Sequence, residues 1–450
     1  MKKHILVSIL FLSSLNAQDL KTSLNEVLST NPTILERYNN FSATQEDISI
    51  AQAGYYPSLD LKLGAGKEKT QRRLQANGVP DKEYDLNVYQ NSLSYTHNLF
   101  NGFSTTYQVK EQEYRTLSAA YSYIEKVNNT SFDMVNSYLE VMKNQELLQT
   151  AQENVTIDKE IFTKVRKLYE AGLTTLSEVN KIESSLALAK SNLVVQENTI
   201  MDVSYNLQRV LGRELEPTKM SKPKLDITLP TTQEEALKFA LQNNPSLLVS
   251  EFNIRLAQAS KEGSKSSFYP SLDIEVSQAM NKNLSGIAGE DDRFRAMAYL
   301  SFNIFRGFAD SSALQKNSAK ITQEVQTKNS LKRQVIESLN LSWAANEKLN
   351  EQLIHLIEYK DFSYKTLTLY SKEYDLGRRS LLDLLSAQND FIKAKAQIIS
   401  TEYSLLYAKY RILDAMGILV PTVMGDKEIA YSNVGLSATT MKDLEKTEER

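Results

Sequence analysis

Two hydrophobic periods alternate along the chain, and the first is a period of two residues. Apolar and polar side chains alternate over four segments, as expected for β-strands with one apolar and one polar face. This alternation is typical both of hairpins in soluble sheets and of strands that face lipid on one side. The predicted strands cover 57–67, 86–100, 271–280 and 294–305.

Aromatic residues cluster at the bases of both predicted hairpins. Such rings favour the boundary between lipid and water. They shift the interpretation from a soluble sheet towards strands that cross a membrane. The clusters are Tyr55, Tyr56, Phe100 and Phe103 in the first hairpin, and Phe268, Tyr269, Phe305 and Phe308 in the second.

The second period, of three and four residues, predicts two very long helices over 103–170 and 308–376. Both stretches lack proline and glycine, which helix interiors exclude. At 1.5 Å per residue each helix would extend about 100 Å, a length that requires coiled-coil packing. Shorter return helices are predicted over 175–211 and 380–416. The predicted seam of the second long helix is Leu349, Leu353, Leu356, Lys360, Ser363, Leu367, Tyr370 and Tyr374.

Short motifs recur in the same order, which indicates an internal duplication. The predicted repeats cover 18–216 and 231–419, with a proline-rich linker over 217–230 and a polar tail over 420–450. The motifs are Asn-Pro at Asn31 and Asn244, Tyr-Pro-Ser-Leu-Asp at Tyr56 and Tyr269, Phe-x-Gly-Phe at Phe100 and Phe305, and single glycines at Gly172 and Gly377 and at Gly212 and Gly417.

Each long helix is followed by a glycine turn. In the segment Tyr374–Leu385, Gly377 is predicted to adopt the left-handed conformation after the helix, and Ser380 is predicted to cap the next helix. The segment Tyr169–Val179 has its glycine 205 residues earlier. The duplicated chain is therefore predicted to turn twice at equivalent points.

Residues 1–17 have the pattern of a secretory signal peptide. Two lysines precede a short apolar run, Ile5–Leu12, and Ala17 offers a small residue for cleavage. The alternative, an amino-terminal anchor helix, would need an apolar run of about 20 residues. No later segment reaches that length, so an envelope protein of this sequence would cross a membrane only through closed strands.

Composition excludes several kinds of chemistry. The 450 residues include no cysteine, which excludes disulfides, thiolate metal sites and cysteine catalysis. The sequence shows no nucleophile–base set, phosphate-binding glycine loop or metal cluster, and its net charge of −3 does not favour nucleic acid. We therefore expect a protein that is not an enzyme and that has no cofactor and no metal.

The ordered motifs from Asp19 to Leu419 resemble the TolC family of outer-membrane efflux proteins. The resemblance implies a mainly α-helical fold, in which each protomer adds long helices to a coiled-coil tunnel and four strands to a transmembrane β-barrel. Because four strands cannot close around an aqueous pore, a homotrimer would supply twelve. The resemblance places the strands in the Gram-negative outer membrane and the helical tunnel in the periplasm.

The resemblance also implies that the glycine turns form a gate. Tyr374 and Arg379 match the family's latch residues on the second hairpin, and Glu178 and Ser177 match their acidic and hydroxyl partners on the first. An arginine–carboxylate pair at a wet helix tip contributes about 1 kcal/mol or less, so partner binding could release it. The alternative for each residue taken alone is a solvated side chain at a helix end, and for Ser177 and for Ser386, which follows in the next helix, both interpretations stay open.

The pore constriction implied by the resemblance lies just inside the gate. Asp383 matches the first aspartate ring, whereas Ser386 stands where the family has a second aspartate. A trimer would then carry three carboxylates here rather than six, which argues against strong block by divalent cations. The residues that match the docking site for a periplasmic adaptor protein are Gly172, Leu173, Thr174, Gly377 and Arg378.

We expect the chain to act as the passive exit duct of a tripartite efflux pump. Its expected partners are two further copies of itself, a periplasmic adaptor, an inner-membrane pump of the resistance-nodulation-division or ABC type, and outer-membrane lipid. One alternative is the outer-membrane component of a type I protein secretion system, and another is a structural coiled-coil envelope protein without a pore. The exported substrate is not encoded in a passive duct, because the pump selects it.

Overall fold

The computed structural model describes residues 19–72, 82–223, 227–426 and 428–436. The predicted signal peptide lies outside these residues, as do residue 427 and residues 437–450 of the predicted tail. The helices are α1 (Leu20–Thr30), α2 (Pro32–Gln52), α3 (Ser104–Glu170), α4 (Leu176–Leu211), α5 (Gln233–Asn243), α6 (Pro245–Ser264), α7 (Ala309–Asp375), α8 (Leu381–Ala415) and α9 (Leu419–Met424). The strands are β1 (Ser58–Arg72), β2 (Lys82–Asn101), β3 (Ser271–Lys282) and β4 (Glu290–Ser301).

The chain divides into two compact units, and the long helices α3 and α7 contribute to both. One unit holds the strands with the helical residues beside them, over 39–122 and 246–331. The other unit is helical and contains the glycine turns. It is formed by the described parts of 1–38, 123–245 and 332–450.

The four strands form one antiparallel sheet in the order β1-β2-β3-β4. The central pair, β2 and β3, joins the first repeat to the second, with Tyr89 opposite Lys282 and Asn101 opposite Ser271. The register shifts between Asn98 and Phe100. Within the described residues β1 and β4 each have a single strand neighbour, so both outer edges of the sheet keep unpaired backbone groups.

The strands differ from the predicted segments mainly at their ends. β1 continues to Arg72 and β2 begins at Lys82, because backbone pairing extends into polar residues where apolar alternation has stopped. β4 begins at Glu290 and ends at Ser301, four residues before its predicted end. Ser301 pairs with Ser271, the first residue of β3, and the proline before Ser271 has no amide to extend the ladder.

The Phe-x-Gly-Phe motif forms a tight junction between the repeats. Gly102 has a φ of +65°, and a Cβ built on it would lie 2.6 Å from the carbonyl oxygen of Ser266. The next residue, Phe103, packs edge-to-face on Tyr269 with ring centroids 5.8 Å apart. The glycine is therefore required both for its backbone conformation and for close approach. Its counterpart in the second repeat, Gly307, has a φ of +61° and open space around it.

The Asn-Pro motif of each repeat binds the end of that repeat's return helix. The Asn31 side-chain amide donates to the carbonyl of Val210 (2.9 Å), and the Asn244 amide donates to the carbonyl of Ala415 (2.9 Å). Both bonds are buried and satisfy carbonyls that a helix end leaves without partners. The recurring asparagines therefore hold the start of one helix against the end of another.

We expect Gly417→Ala to destabilise the protein more than Gly212→Ala. Both glycines have positive φ, so alanine costs about 1–2 kcal/mol at either position. At Gly417 the new Cβ would also lie 2.8 Å from Cδ of Pro245, whereas Gly212 has open space. Thermal unfolding followed by circular dichroism should show a larger fall in Tm for Gly417→Ala. Equal falls would contradict the proposed contact with the Asn-Pro motif.

Candidate functional site

Each long helix ends in the same hydrogen-bonded turn. After α3 the amide of Gly172 donates to the carbonyl of Tyr169 (2.9 Å), and the amide of Leu173 donates to the carbonyl of Leu168 (2.8 Å). This is the Schellman pattern, and it requires a left-handed residue at the glycine, whose φ is +70°. The equivalent bonds after α7 join Gly377 (φ +69°) to Tyr374 (3.0 Å) and Arg378 to Glu373 (2.9 Å).

The starts of the return helices differ between the repeats. Ser380 caps α8 as predicted, since its Oγ accepts from the amide of Asp383 (3.1 Å) and donates to the Asp383 carboxylate (2.8 Å). Thr175 precedes α4 and makes no capping bond with its side chain. The Thr175 hydroxyl instead lies 3.2 Å from that of Ser177. The two turns therefore share a backbone geometry but present different polar side chains.

An apolar cluster brings the two turns together within one protomer. Its buried members come from all four neighbouring helices, so the first hairpin (α3 and α4) packs directly on the second (α7 and α8). Tyr374 is one of the largest of them and is 8% exposed. The buried members are Val165 from α3, Val179 and Ile182 from α4, Tyr374 from α7, and Leu381, Leu384 and Leu385 from α8.

Glu178 faces the hydroxyl of Tyr374 across this cluster. Burial, together with the negative charge of Glu178, raises the pKa of Tyr374 to about 12. The Tyr374 hydroxyl lies close enough to interact with the Glu178 carboxylate, but this contact does not have hydrogen-bond geometry, and no other described residue binds the hydroxyl. The Glu178 carboxylate is instead bound by the hydroxyl of Thr174, one turn before it. The structure thus brings Tyr374 and Glu178 together without closing the bond between them.

Arg379 is bound within its own hairpin. Its guanidinium donates to Glu373 (2.9 Å from Nε) and lies 4.1 Å from the ring centroid of Tyr370. A longer contact of 4.0 Å reaches Asp383. Among the described residues of the single chain, Arg379 forms no hydrogen bond or ion pair with Glu178 or Ser177, the partners that the resemblance implies. Glu373 is absent from the predicted site, because nothing in the sequence distinguishes it from other carboxylates near the turn.

The two constriction candidates lie on the outer side of α8. Asp383 is half-exposed and Ser386 is exposed, whereas Leu384, Leu385 and Ala387 between and beside them are buried. Asp383 and Ser386 are three residues apart, so they share one helix face turned away from the apolar cluster. This face carries one carboxylate and one hydroxyl from each protomer.

The docking candidates form an exposed apolar tip. Both turn glycines have open space where a side chain would be, and Leu173 is 75% exposed. Arg378 is exposed as well, and Thr174 is half-exposed against Glu178. Three more leucines add to the exposed apolar surface of the turns. They are Leu176, Leu376 and Leu382.

A buried polar group that the site prediction missed links the two hairpins deeper in the bundle. Asp158 of α3 is 2% exposed and accepts from Gln388 Nε2 (2.6 Å) and Ser185 Oγ (3.1 Å). Gln388 Nε2 also donates to Asn154 (3.0 Å), while its carbonyl oxygen has no partner among the described residues. Burial raises the pKa of the Asp158 carboxyl. In the sequence, Asp158 is the first-repeat counterpart of the seam position Ser363, and a carboxylate at a seam position was the available signal.

Neither metal binding nor a helical membrane span is indicated in the described part of the chain. No group of three or more metal-ligating side chains converges there. Within the same residues, no helix has both the length and the apolar character needed to cross a membrane.

The chain combines paired helical hairpins with a four-stranded antiparallel sheet, and this is the fold of outer-membrane channels of known structure. The sequence profile described as outer membrane efflux protein matches residues 23–213 and 236–418. The chain belongs to this family. It is therefore an outer-membrane efflux protein and not an enzyme, and the family predicted from the TolC resemblance is confirmed.

Individual relatives agree with this assignment over most of their length. The outer membrane protein TolC of Vibrio cholerae is 19% identical over 435 residues, covering 94% of this chain and 95% of TolC. The proteases secretion protein PrtF of Dickeya chrysanthemi is 21% identical over 381 residues, covering 81% of each chain. The crystal structure of the outer membrane protein VceC from Vibrio cholerae has the same fold, with a TM-score of 0.72 at 17% identity, covering 88% of this chain and 96% of VceC.

We expect Asp158→Asn to raise the melting temperature at neutral pH. Burial raises the pKa of Asp158 in the folded state above its value in the unfolded state. The stability that this carboxyl contributes is therefore fully present below the unfolded-state pKa and is lost as the pH rises through the folded-state pKa. An asparagine cannot ionise, and its amide could donate to the unpartnered oxygen of Gln388. Thermal unfolding at about pH 7 and about pH 4 should therefore show an advantage that shrinks in acid.

Glu160→Gln is the matched control for this prediction, since Glu160 is an exposed carboxylate two residues away on the same helix. It should leave the melting temperature unchanged at both pH values. A lower melting temperature for Asp158→Asn at neutral pH, or an equal gain in the control, would show that the buried carboxylate does not destabilise the fold.

Proposed function

We propose that the chain forms a homotrimeric exit duct of a tripartite efflux system. In this proposal the strands of three copies close into one twelve-stranded sheet in the outer membrane, and the hairpin turns gate the periplasmic end. The observation that carries the proposal is the junction between the repeats. One copy of the chain forms this junction at Gly102, whereas the equivalent surface at Gly307 stays open. Family membership supports the export function, and the open junction supports the assembly.

The pseudo-symmetry of the sheet favours closure by further copies. Within one chain, β2 of the first repeat pairs with β3 of the second. The equivalent pairing for β4 would be with β1, but both are outer strands of the same sheet. If β4 of one copy pairs with β1 of the next, the same junction repeats around a ring. Such closure removes the unpaired edges that otherwise promote uncontrolled association.

The aromatic residues at the strand bases give this closure a specific contact. Phe103 packs on Tyr269 within the chain, and the repeat register makes Phe308 and Tyr56 their counterparts. In the single chain Phe308 is 74% and Tyr56 is 72% exposed. We therefore place Phe308 of one copy against Tyr56 of the next, beside Gly307, whose surroundings are open in the protomer.

The helical part also leaves an apolar surface for neighbouring copies. Exposed large apolar side chains recur on α7 beside its buried seam and on α4. Large exposed apolar area often marks an interface. The exposed side chains are Ile354, Ile357, Phe362 and Leu369 on α7, and Leu188, Val194, Val195 and Tyr205 on α4.

The gate residues are proposed to act at the turns of the assembled trimer. Tyr374 and Glu178 already face one another within each protomer. Arg379 is half-exposed while bound to Glu373, so it could exchange that carboxylate for Glu178 or Ser177 of a neighbouring copy. Asp383, with Ser386, would line the constriction with three carboxylates in total. A ring of this charge favours cations over anions.

The exposed tip is the proposed docking site for a periplasmic adaptor. The positions are Gly172, Leu173, Thr174, Gly377 and Arg378, as the resemblance implies. The lack of side chains at the glycines allows a partner's helical hairpin to approach the backbone closely. The neighbouring leucines supply apolar area for such a contact. An inner-membrane pump of the resistance-nodulation-division or ABC type would provide the energy.

A second candidate function is the exit duct of a type I protein secretion system. The similarity to PrtF, named as a protease secretion protein, favours it. Both candidates use the same duct and differ in the pump and the cargo. Deletion of the gene should therefore either sensitise cells to small toxic compounds or abolish export of a secreted protein. A structural envelope protein without a pore would give no channel in either case.

We expect Arg379→Ala to raise the open probability of the purified trimer in planar lipid bilayers. Loss of the guanidinium removes an ionic contact at the gate, and three equivalent losses would shift the equilibrium by about tenfold or more. The adjacent Arg378→Ala is the control, because Arg378 is exposed at the tip and its loss should leave conductance unchanged. The absence of discrete channels in every variant would overturn the conduit function.

We expect Gly307→Ala to weaken trimer formation while the protomer still folds. A Cβ at Gly307 meets no atom of the described residues within 4 Å, but it would enter the proposed contact with the next copy. Gly212→Ala is the control, because it has the same kind of backbone strain and open surroundings outside the sheet. Size-exclusion chromatography with light scattering should show dissociation only for Gly307→Ala. Equal trimer fractions would contradict the proposed junction.

A further inference from the structure

An ion pair joins the two hairpins next to the turns. The ammonium of Lys164 on α3 contacts the carboxylate of Asp375, the last residue of α7. The same ammonium lies 6.0 Å from the ring centroid of Tyr374, the buried residue of the tip cluster. One lysine therefore holds both a charged and an aromatic group of the second hairpin against the first.

Asp375 lies at the carboxyl end of α7, where a nearby cation is stabilising. The carbonyl end of a helix carries partial negative charge, so a carboxylate at the last residue is unfavourable unless a cation lies close. The chain places Lys164 there from the opposite hairpin. In the first repeat the counterpart of Asp375 is Glu170, which binds Arg166 of its own helix (3.3 Å). The counterpart of Lys164 is Leu369, so the ion pair between hairpins is not duplicated.

The other polar contacts near the turns do not join the hairpins in this way. Arg379 binds Glu373 within the second hairpin, and the Tyr374 hydroxyl completes no bond to Glu178 among the described residues. The next ion pair between the hairpins in the described part of the chain, Lys395 with Glu153, lies more than two turns further along α3. The tip is thus held by apolar packing and by Lys164 with Asp375.

We infer that the ion pair between Lys164 and Asp375 is a further latch, distinct from the gate residues that the resemblance implies. It keeps the second hairpin closed against the first within each protomer. The inference rests on the proposed channel function, and it adds a positioning pair to the gate residues. Both side chains are nearly half-exposed, at 43% and 48%, so water and salt reach them. An exposed pair of this kind shifts an equilibrium by about two- to fivefold, which three copies multiply.

Charge reversal in planar bilayers tests the latch. Lys164→Glu and Asp375→Lys each place like charges together, so each should raise the open probability of the trimer by at least about fivefold. The double variant restores the pair in reversed order and should return the open probability to that of the wild type. Lys167→Glu is the control for net charge, since Lys167 is exposed one turn away and binds no carboxylate among the described residues.

Salt provides a second measurement that a purely structural role would not affect. Because exposed ion pairs are screened, the difference between Lys164→Glu and wild type should shrink at high ionic strength. Size-exclusion chromatography establishes that each variant remains trimeric. Lys164→Arg keeps the charge and should behave as the wild type.

The possible failures are distinguishable. Suppose that the wild type forms channels but Lys164→Glu has the same open probability as Lys167→Glu, or that the double variant has the same open probability as the single variants. The latch hypothesis is then wrong, and the proposed channel function is unaffected. If no variant forms channels, Arg379→Ala included, the proposed function fails and the latch fails with it.

Discussion

The continuous apolar seam along the long helices is the constraint on which the rest of the structure depends. A helix of 67 residues cannot remain straight and isolated in water, because most helical stability in proteins comes from tertiary packing. All the predicted seam positions of α7 are buried or half-buried. Each hairpin must therefore fold back at a defined residue, and the left-handed glycines set that point. The gate is proposed at the turns because the apolar seams of α3 and α7 end there, at Gly172 and Gly377.

The polar groups between the hairpins are arranged in levels along α3. Deep in the bundle Asp158 is enclosed and bound to neutral donors, whereas near the turns Lys164 and Asp375 are open to water. Buried polar networks specify one arrangement, because a displaced partner leaves an unsatisfied group. Exposed ion pairs are weak and reversible. The group that specifies one arrangement therefore lies deeper in the bundle than the reversible ion pair, which suits a bundle that is proposed to open only at its tip.

The duplication accounts for the junction that one copy of the chain leaves open. Each repeat presents a strand edge, a Phe-x-Gly-Phe junction and an apolar helix face, and the chain can satisfy only one junction internally. Gly102 is enclosed by Ser266 and Tyr269, while Gly307 has open space. The same local sequence thus has two environments in the protomer. A cyclic assembly would make them equivalent, which is the physical basis for the proposed trimer.

Local features were predictable from the sequence, and choices between distant partners were not. Periodicity predicted the strands and long helices, and steric limits on φ predicted the glycine turns at Gly172 and Gly377, because these depend on neighbouring residues alone. The strand ends differed, since backbone pairing ignores side-chain polarity. Arg379 has several carboxylates within reach, and only the packing of the helices decides that it binds Glu373 and that Lys164 meets Asp375. The sequence determined where the chain turns, and the tertiary structure decided which side chains meet there, because long charged side chains select partners by helix position and rotation rather than by order in the chain.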